Sequence, residues 1–200
     1  MTIYDLKPAF QALLRPSCRA LVRAGVTANQ VTIAAMMLSV VIGAVFALNP
    51  ASAWAALLIP VWLFLRMALN AIDGMMARDH AMQSPLGGFL NELTDVVSDA
   101  VLYLPFALVT GISAKLVILI VFASVLVEMA GVVAVQVGAS RRYDGPMGKS
   151  DRAFVFGLLG LLVALGVPLQ AWVNPALAVV AALAIWTIVN RIRGGLGELR

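Results

Sequence analysis

Two sets of oxygen-bearing side chains stand where two apolar runs of the chain meet. Asn70 and Asp73 are three residues apart, and Asn91, Asp95 and Asp99 follow one another at intervals of four. Each set therefore lies on one face of a helix. The turn between the runs is short, so the helices are antiparallel neighbours and their polar faces meet at similar depth. A carboxylate at the centre of a bilayer costs roughly 2.5–3.5 kcal/mol on insertion scales, which marks such residues as functional. Converging oxygen ligands without His or Cys suit a hard cation, Mg²⁺ or Mn²⁺, and a hard cation suits a phosphate substrate. Gly74, Ala77, Gly87 and Gly88 clear side chains from around the acids, either to admit a bulky ligand or to let helices pack closely. Arg78, one turn after Gly74, offers a planar fork to phosphate oxygens.

The elements that position these residues are apolar helices. Of 200 residues, 62% are hydrophobic and only 12% charged, against roughly a quarter charged in a soluble domain. Six runs approach the 20 or so residues needed to span a hydrocarbon core, near 30–48, 52–72, 90–110, 116–138, 153–172 and 175–190. The runs flanking the polar stretch are expected to continue as helix beyond the membrane. The first run lies too far in, and lacks the cleavage pattern, to be a removed signal peptide. In a six-span zigzag, 12 of the 14 Lys and Arg residues, Lys7 among them, fall on one side. Lys115 falls on the other, and Arg66 lies within a span. That asymmetry places both termini in the cytoplasm. It also accounts for the net charge of +4 without a nucleic-acid partner. Cys18, the single cysteine, forms no internal disulfide and belongs to no metal pattern.

Residues 1–28 read as an interfacial segment ahead of a transmembrane domain at 29–200. Phe10, Leu13, Leu14, Cys18, Leu21 and Val22 cluster on one helical face, opposite Arg15, Arg19 and Arg23. This is the pattern of a helix lying among lipid headgroups, with Pro16 expected to kink or interrupt it. A second polar region, Ser140 to Phe154, contains Gly145, Pro146 and Gly148 and reads as a turn. Ser150 or Asp151 could cap the helix that follows. Arg141, Arg142, Lys149 and Arg152 then gather near that helix's N-terminus, where anions bind readily. The loops on the outer side are minimal, so function faces the cytoplasm.

Taken together, Asn70-x2-Asp73-Gly74-x2-Ala77-Arg78-x8-Gly87-x3-Asn91-x3-Asp95 resembles the motif of the CDP-alcohol phosphotransferase family, D-x2-D-G-x2-A-R-x8-G-x3-D-x3-D. Every spacing is intact. Upstream, Gly25 to Thr32 (GVTANQVT) resembles the family's G-x-T-P-N-x-x-T entry to the first span, with Ala28 where proline is usual. The second half of the chain agrees only in topology. The resemblance implies an all-α integral membrane enzyme of six transmembrane helices, commonly a homodimer, in a bacterial inner membrane. It would transfer a substituted phosphate from a CDP-linked lipid, CDP-diacylglycerol foremost, to an acceptor alcohol that can itself be phosphorylated, releasing CMP. By the same analogy Asn70, Asp73, Asn91 and Asp95 hold Mg²⁺ or Mn²⁺, and Asp95 is the general base. Asn29, Thr32, Asp73, Gly74, Ala77, Arg78 and Gly87 would receive the CDP diphosphate, while Arg141, Arg142, Lys149 and Arg152 would face the acceptor.

Two family acids are amides here, Asn70 and Asn91. An amide carbonyl coordinates without charge, so weaker metal binding or fewer ions is expected. Arg66 precedes Asp73 by seven residues on the same face, at a depth close to that of Asp99. A buried ion pair between them beneath the metal site is expected, the alternative being Asp99 as a third acidic ligand. Glu128 has no assignable partner. A catalytically silent CDP-lipid-binding homologue would tolerate both asparagines, and a transporter would also place polar residues between helices. The cluster is confined to one side, however, and no inverted repeat is visible.

Overall fold

The computed structural model describes residues 3–200, with side chains described from Ala9 onward. Met1, Thr2 and the side chain of Lys7 lie outside the described residues. All regular structure among them is helical: α1 (Ile3–Arg23), α2 (Ala28–Leu48), α3 (Ala53–Asp79), α4 (Pro85–Tyr103), α5 (Ala114–Gln136), α6 (Lys149–Ala164) and α7 (Val173–Glu198). A 3₁₀ turn, Leu104–Leu108, continues α4.

Helices α2, α3, α5 and α7 are long and apolar enough to cross a membrane. Helix α4 carries three acids within 19 residues. Helix α6 has 16 residues, about 24 Å of rise. The apolar run at 153–172 is helical only to Ala164, because Gly166 adopts φ +69° and Pro168 follows. Helix α3 runs on to Asp79, beyond its apolar run as expected.

Helices α2, α4 and α6 start where the sequence provides a side-chain cap. Thr27 and Gln30 form a reciprocal capping box on α2, and Ser84 accepts from the Gly87 N–H with Pro85 at the first helical position of α4. On α6 the cap is Asp151, whose carboxylate accepts the Gly148 N–H at 2.9 Å. Ser150 plays no such part. Helix α1 continues through Pro16 without a break. Its Cys18, with Leu14, Leu21 and Val22, packs against Ile72, Met75 and Met76 at the end of α3, and this contact replaces the lost backbone bond as the support of the helix.

The core lies between α2–α4 and α5–α7. Tyr103 stacks on Phe156 at 4.1 Å between centroids, and Phe106 packs edge-on against Phe46. Helices α2 and α4 approach so closely at Gly43 that any side chain there would collide with the Val101 carbonyl. Outward, Val41, Phe64, Leu65, Phe122 and Ile185 are exposed, an apolar exterior suited to lipid.

The bundle has two unlike ends. At one, Asn174 in the first turn of α7 holds the α4–α5 connection, accepting from the Ser113 N–H and donating to the Gly111 carbonyl. At the other, Glu198 of α7 accepts from Ser140 after α5, and Arg141 reaches Glu92 of α4. The charged residues gather at this second end.

Candidate active site

Antiparallel α3 and α4, joined by the tight turn at 80–84, bring their polar faces together. Asn70 donates through Nδ2 to Asp95 Oδ1 at 3.1 Å, so its amide oxygen is left as the ligating end. Asp73 is buried, and its Oδ2 accepts from Thr32 Oγ1 at 2.8 Å. Helix α2 thus supports the acid on α3. Asn29, one turn earlier on α2, lies against Gly87: a methyl group on that glycine would stand 2.9 Å from Asn29 Oδ1. Arg78 folds back over Gly74, with its Nη1 3.3 Å from where a Cβ would be. The close approach requires the glycine at 87, while Gly88 faces open space. Ala77 is half-buried beside this group.

Asp95 is the hub. Arg66 Nη2 donates to its Oδ1 and to its backbone carbonyl, each at 3.1 Å, and Lys149 at the start of α6 forms an ion pair with its Oδ2. Arg66 Nη1 reaches Asp99 Oδ1 at 2.6 Å, which is the buried pair expected from depth counting. The other oxygen of Asp99 takes Arg152 Nη2 at 3.3 Å. Both oxygens of Asp99 are thus held by guanidinium groups.

Arg152 and Arg142, expected to face the acceptor, are both held by acids. Arg152 is 1% exposed. It holds Asp99, Glu128 Oε1 at 2.8 Å and the Met147 carbonyl at 3.1 Å, since a charge at that depth requires partners, while its Nε is buried without one. Arg142 is tied at the surface to Asp144 at 2.7 and 2.9 Å and to Glu198 at 2.8 Å, and it does not line the central cavity. Its hydrogen bonds hold the Asp144 carboxyl below the usual carboxylate range. Arg141 does face the cavity, in a bidentate pair with Glu92 at 2.8 and 3.0 Å.

Three participants escaped the sequence reading. Glu128 is the shared anion of Arg141, Arg152 and Arg191. Arg191, 2% exposed, also donates to the Val127 carbonyl at 2.7 Å. Glu92 was legible: it stands three residues before Asp95 and seven before Asp99, on the same face. For Glu128 and Arg191 the signal was the rule that intramembrane charges pair, but nothing in one dimension says which two.

The charged groups enclose a cavity of about 360 Å³ between α4, α5 and α6. Beside it, α3 and α6 form an apolar groove of about 560 Å³, walled by residues such as Leu63, Phe64, Met67, Phe154 and Leu158. Lys149 and Ser150 border both, and Asn70 borders the groove. Among the described residues no three His, Cys, Asp or Glu side chains are placed to hold a metal ion by themselves. The residues that could hold a cation here are those expected from the sequence, Asn70, Asp73, Asn91 and Asp95. This all-oxygen set fits a hard divalent ion.

A bundle of apolar helices with a single polar oxygen-donor site at one end defines a multi-pass membrane protein. The chain belongs to the CDP-alcohol phosphatidyltransferase family, whose model matches residues 25–189. It is 47% identical to the inner membrane protein YnbA of Escherichia coli (strain K12), over 96% of each chain. It is 31% identical to archaetidylinositol phosphate synthase of Aeropyrum pernix, over 76% of this chain and 81% of that one. Crystal structures of Mycobacterium tuberculosis phosphatidylinositol phosphate synthase (PgsA1) share the fold. The one with CDP-DAG bound superposes with a TM-score of 0.73 at 21% identity, covering 92% of this chain and 94% of that chain. The one in complex with manganese and citrate gives 0.71 at 24% identity, covering 92% and 88%.

Proposed function

We propose that this protein transfers a phosphatidyl group from a CDP-linked lipid, CDP-diacylglycerol, to an acceptor alcohol, with release of CMP. The observation that carries this reading is the junction at Lys149 and Ser150, where a groove suited to acyl chains meets a charged cavity beside the α3–α4 acids. A lipid donor and a water-soluble acceptor need such a meeting point. The family match and the PgsA1 structure with CDP-DAG support the donor class.

In this reading Asn70, Asp73, Asn91 and Asp95 would hold Mg²⁺ or Mn²⁺, which supplies charge neutralisation at the donor diphosphate. Thr32 holds the Asp73 carboxylate in place. Asn29, Gly74, Ala77 and Gly87 leave room for the diphosphate, and Arg78 donates to its oxygens. Asp95 accepts the proton of the acceptor hydroxyl. The acceptor oxygen then bonds to the phosphorus that bears the lipid alcohol, the phosphoanhydride bond to CMP breaks, and the charge stays on CMP. Arg66, Asn70 and Lys149 fix Asp95 in position for this step.

Six spans, with both termini and the site on the cytoplasmic side, are part of the proposal, and the basic residues gathered at one end of the bundle support that orientation. The E. coli relative supports a bacterial inner membrane. A homodimer is part of the proposal by family analogy. One observation favours the silent, CDP-lipid-binding alternative: Lys149 and Arg66 already neutralise Asp95, the hub acid.

The deciding experiment is CMP release by the purified protein in detergent, with CDP-diacylglycerol as donor and Mg²⁺ or Mn²⁺ titrated. Metal-dependent release that is stimulated by an alcohol and lost in Asp95→Asn establishes the transferase. CDP-diacylglycerol binding without release under any condition establishes the silent homologue.

A further inference from the structure

The cavity that would receive the acceptor has an unusual charge balance. Five carboxylates and four cationic side chains line it, and Arg66 reaches two of those acids from the groove side. Every arginine on the lining touches a carboxylate outside the proposed metal set. Arg141 is bidentate on Glu92 and touches Glu128 at 3.1 Å. Arg152 joins Asp99 to Glu128, Arg191 meets Glu128 at 3.2 Å, and Lys149 pairs with Asp95. Arg152 and Arg191 are buried, so their partners cannot be exchanged for water during a binding event.

An anion-binding site requires guanidinium or ammonium donors free of other acids and a net positive field. A phosphorylated alcohol would bring about −1.5 to −2 charges to a wall where each arginine already has a carboxylate. The groups that remain open are of the other kind. Ser150 and Tyr143 are exposed at the cavity, Tyr143 at 72%. Asp151 uses one oxygen for its cap, and that bond leaves the other available. Carboxylate lone pairs and two hydroxyl groups suit hydroxyl and ammonium donors. The volume, about 360 Å³, accommodates a small polyol.

Resting on the transferase reading above, we infer that the acceptor of this enzyme carries no phosphate: it is an uncharged polyol or an amino alcohol. The chain is thereby set apart from the relatives named as phosphatidylinositol phosphate and archaetidylinositol phosphate synthases. Glu92, Glu128 and Asp99 act as specificity-determining residues, because they cancel the arginines that would otherwise attract an anion.

The test is CMP release from CDP-diacylglycerol with matched acceptors: glycerol against glycerol 3-phosphate, inositol against inositol phosphate, ethanolamine against phosphoethanolamine. The expected result is a kcat/KM at least about tenfold higher for the phosphate-free member of one pair, the cost of one uncompensated charge contact. Glu92→Gln, a change at the partly exposed partner of Arg141, frees that guanidinium and shifts the ratio toward the phosphorylated member by about fivefold or more. A wild-type preference for a phosphorylated acceptor, or release that no phosphate-free alcohol stimulates, overturns the inference and leaves the transferase standing. An unchanged ratio in Glu92→Gln overturns the role given to the acids. No release with any acceptor, equal to that of Asp95→Asn, overturns the transferase reading together with the inference.

Discussion

Replacing Asp99 with alanine tests whether the ion network beneath the site is a sealed structural element. Asp99 is 5% exposed and holds Arg66 at 2.6 Å and Arg152 at 3.3 Å. Breaking a buried pair from one side costs about 3–5 kcal/mol, because the remaining charge is left desolvated. Here each guanidinium keeps a second acid, Arg66 on Asp95 at 3.1 Å and Arg152 on Glu128 at 2.8 Å. The loss is therefore expected near the low end, about 3 kcal/mol, or roughly 150-fold in the folding equilibrium. Asp99→Asn keeps the volume and one acceptor oxygen and should cost about 1–2 kcal/mol. Unfolding by SDS titration in mixed micelles measures both variants. Activity should fall further than stability alone explains, since Arg66 is then free to turn wholly onto Asp95. A cost for Asp99→Ala below about 0.5 kcal/mol, the level of a surface pair, would show that water reaches these groups and would refute the argument.

Three further outcomes are expected. Asn91→Asp adds a carboxylate to the oxygen-donor set and should lower the Mg²⁺ concentration giving half-maximal CMP release by about tenfold; an unchanged midpoint would remove Asn91 from the metal site. Gly87→Ala places a methyl group 2.9 Å from Asn29 Oδ1 and should cost about 1–3 kcal/mol in the same unfolding assay, whereas Gly88→Ala, with nothing nearby, should be neutral or stabilising. The Asp144 carboxyl is held below its ordinary value of 3.8 by Arg142. Its contribution to stability is present above that value and is lost as pH falls through the lower folded-state value. Asp144→Asn should flatten the acid limb of stability against pH, and an identical limb would show that the pair contributes nothing.

Much of the site was legible because it is built on two helices adjacent in sequence. Helical spacing put Asn70 with Asp73 and Asn91 with Asp95, and the short turn forced their faces together. Counting depth along that antiparallel pair was enough to match Arg66 with Asp99. Spacing did not show that Arg152 and Arg142, read as acceptor contacts from their place near a helix N-terminus, are paired with acids. A positive charge looks alike in one dimension whether it is free or matched, and their partners Glu128, Asp144 and Glu198 come from other elements or from the surface. Pro16 is a different case. Proline argues locally for a break, but α1 is held by packing on α3, which local rules do not see.

The sequence by itself determined that apolar helices would form, which faces of α3 and α4 are polar, and that Asn70 and Arg66 would meet Asp95 and Asp99 between them. These are matters of period, spacing and composition over a few turns. Only the tertiary structure decided that α5, α6 and α7 bring Glu128, Lys149, Arg152 and Arg191 to the same place, and that every cation at the cavity meets an acid. Charge pairing across the bundle depends on which helices are neighbours and how they are rotated. Packing of their apolar faces sets both, and no pattern within one helix encodes its partner.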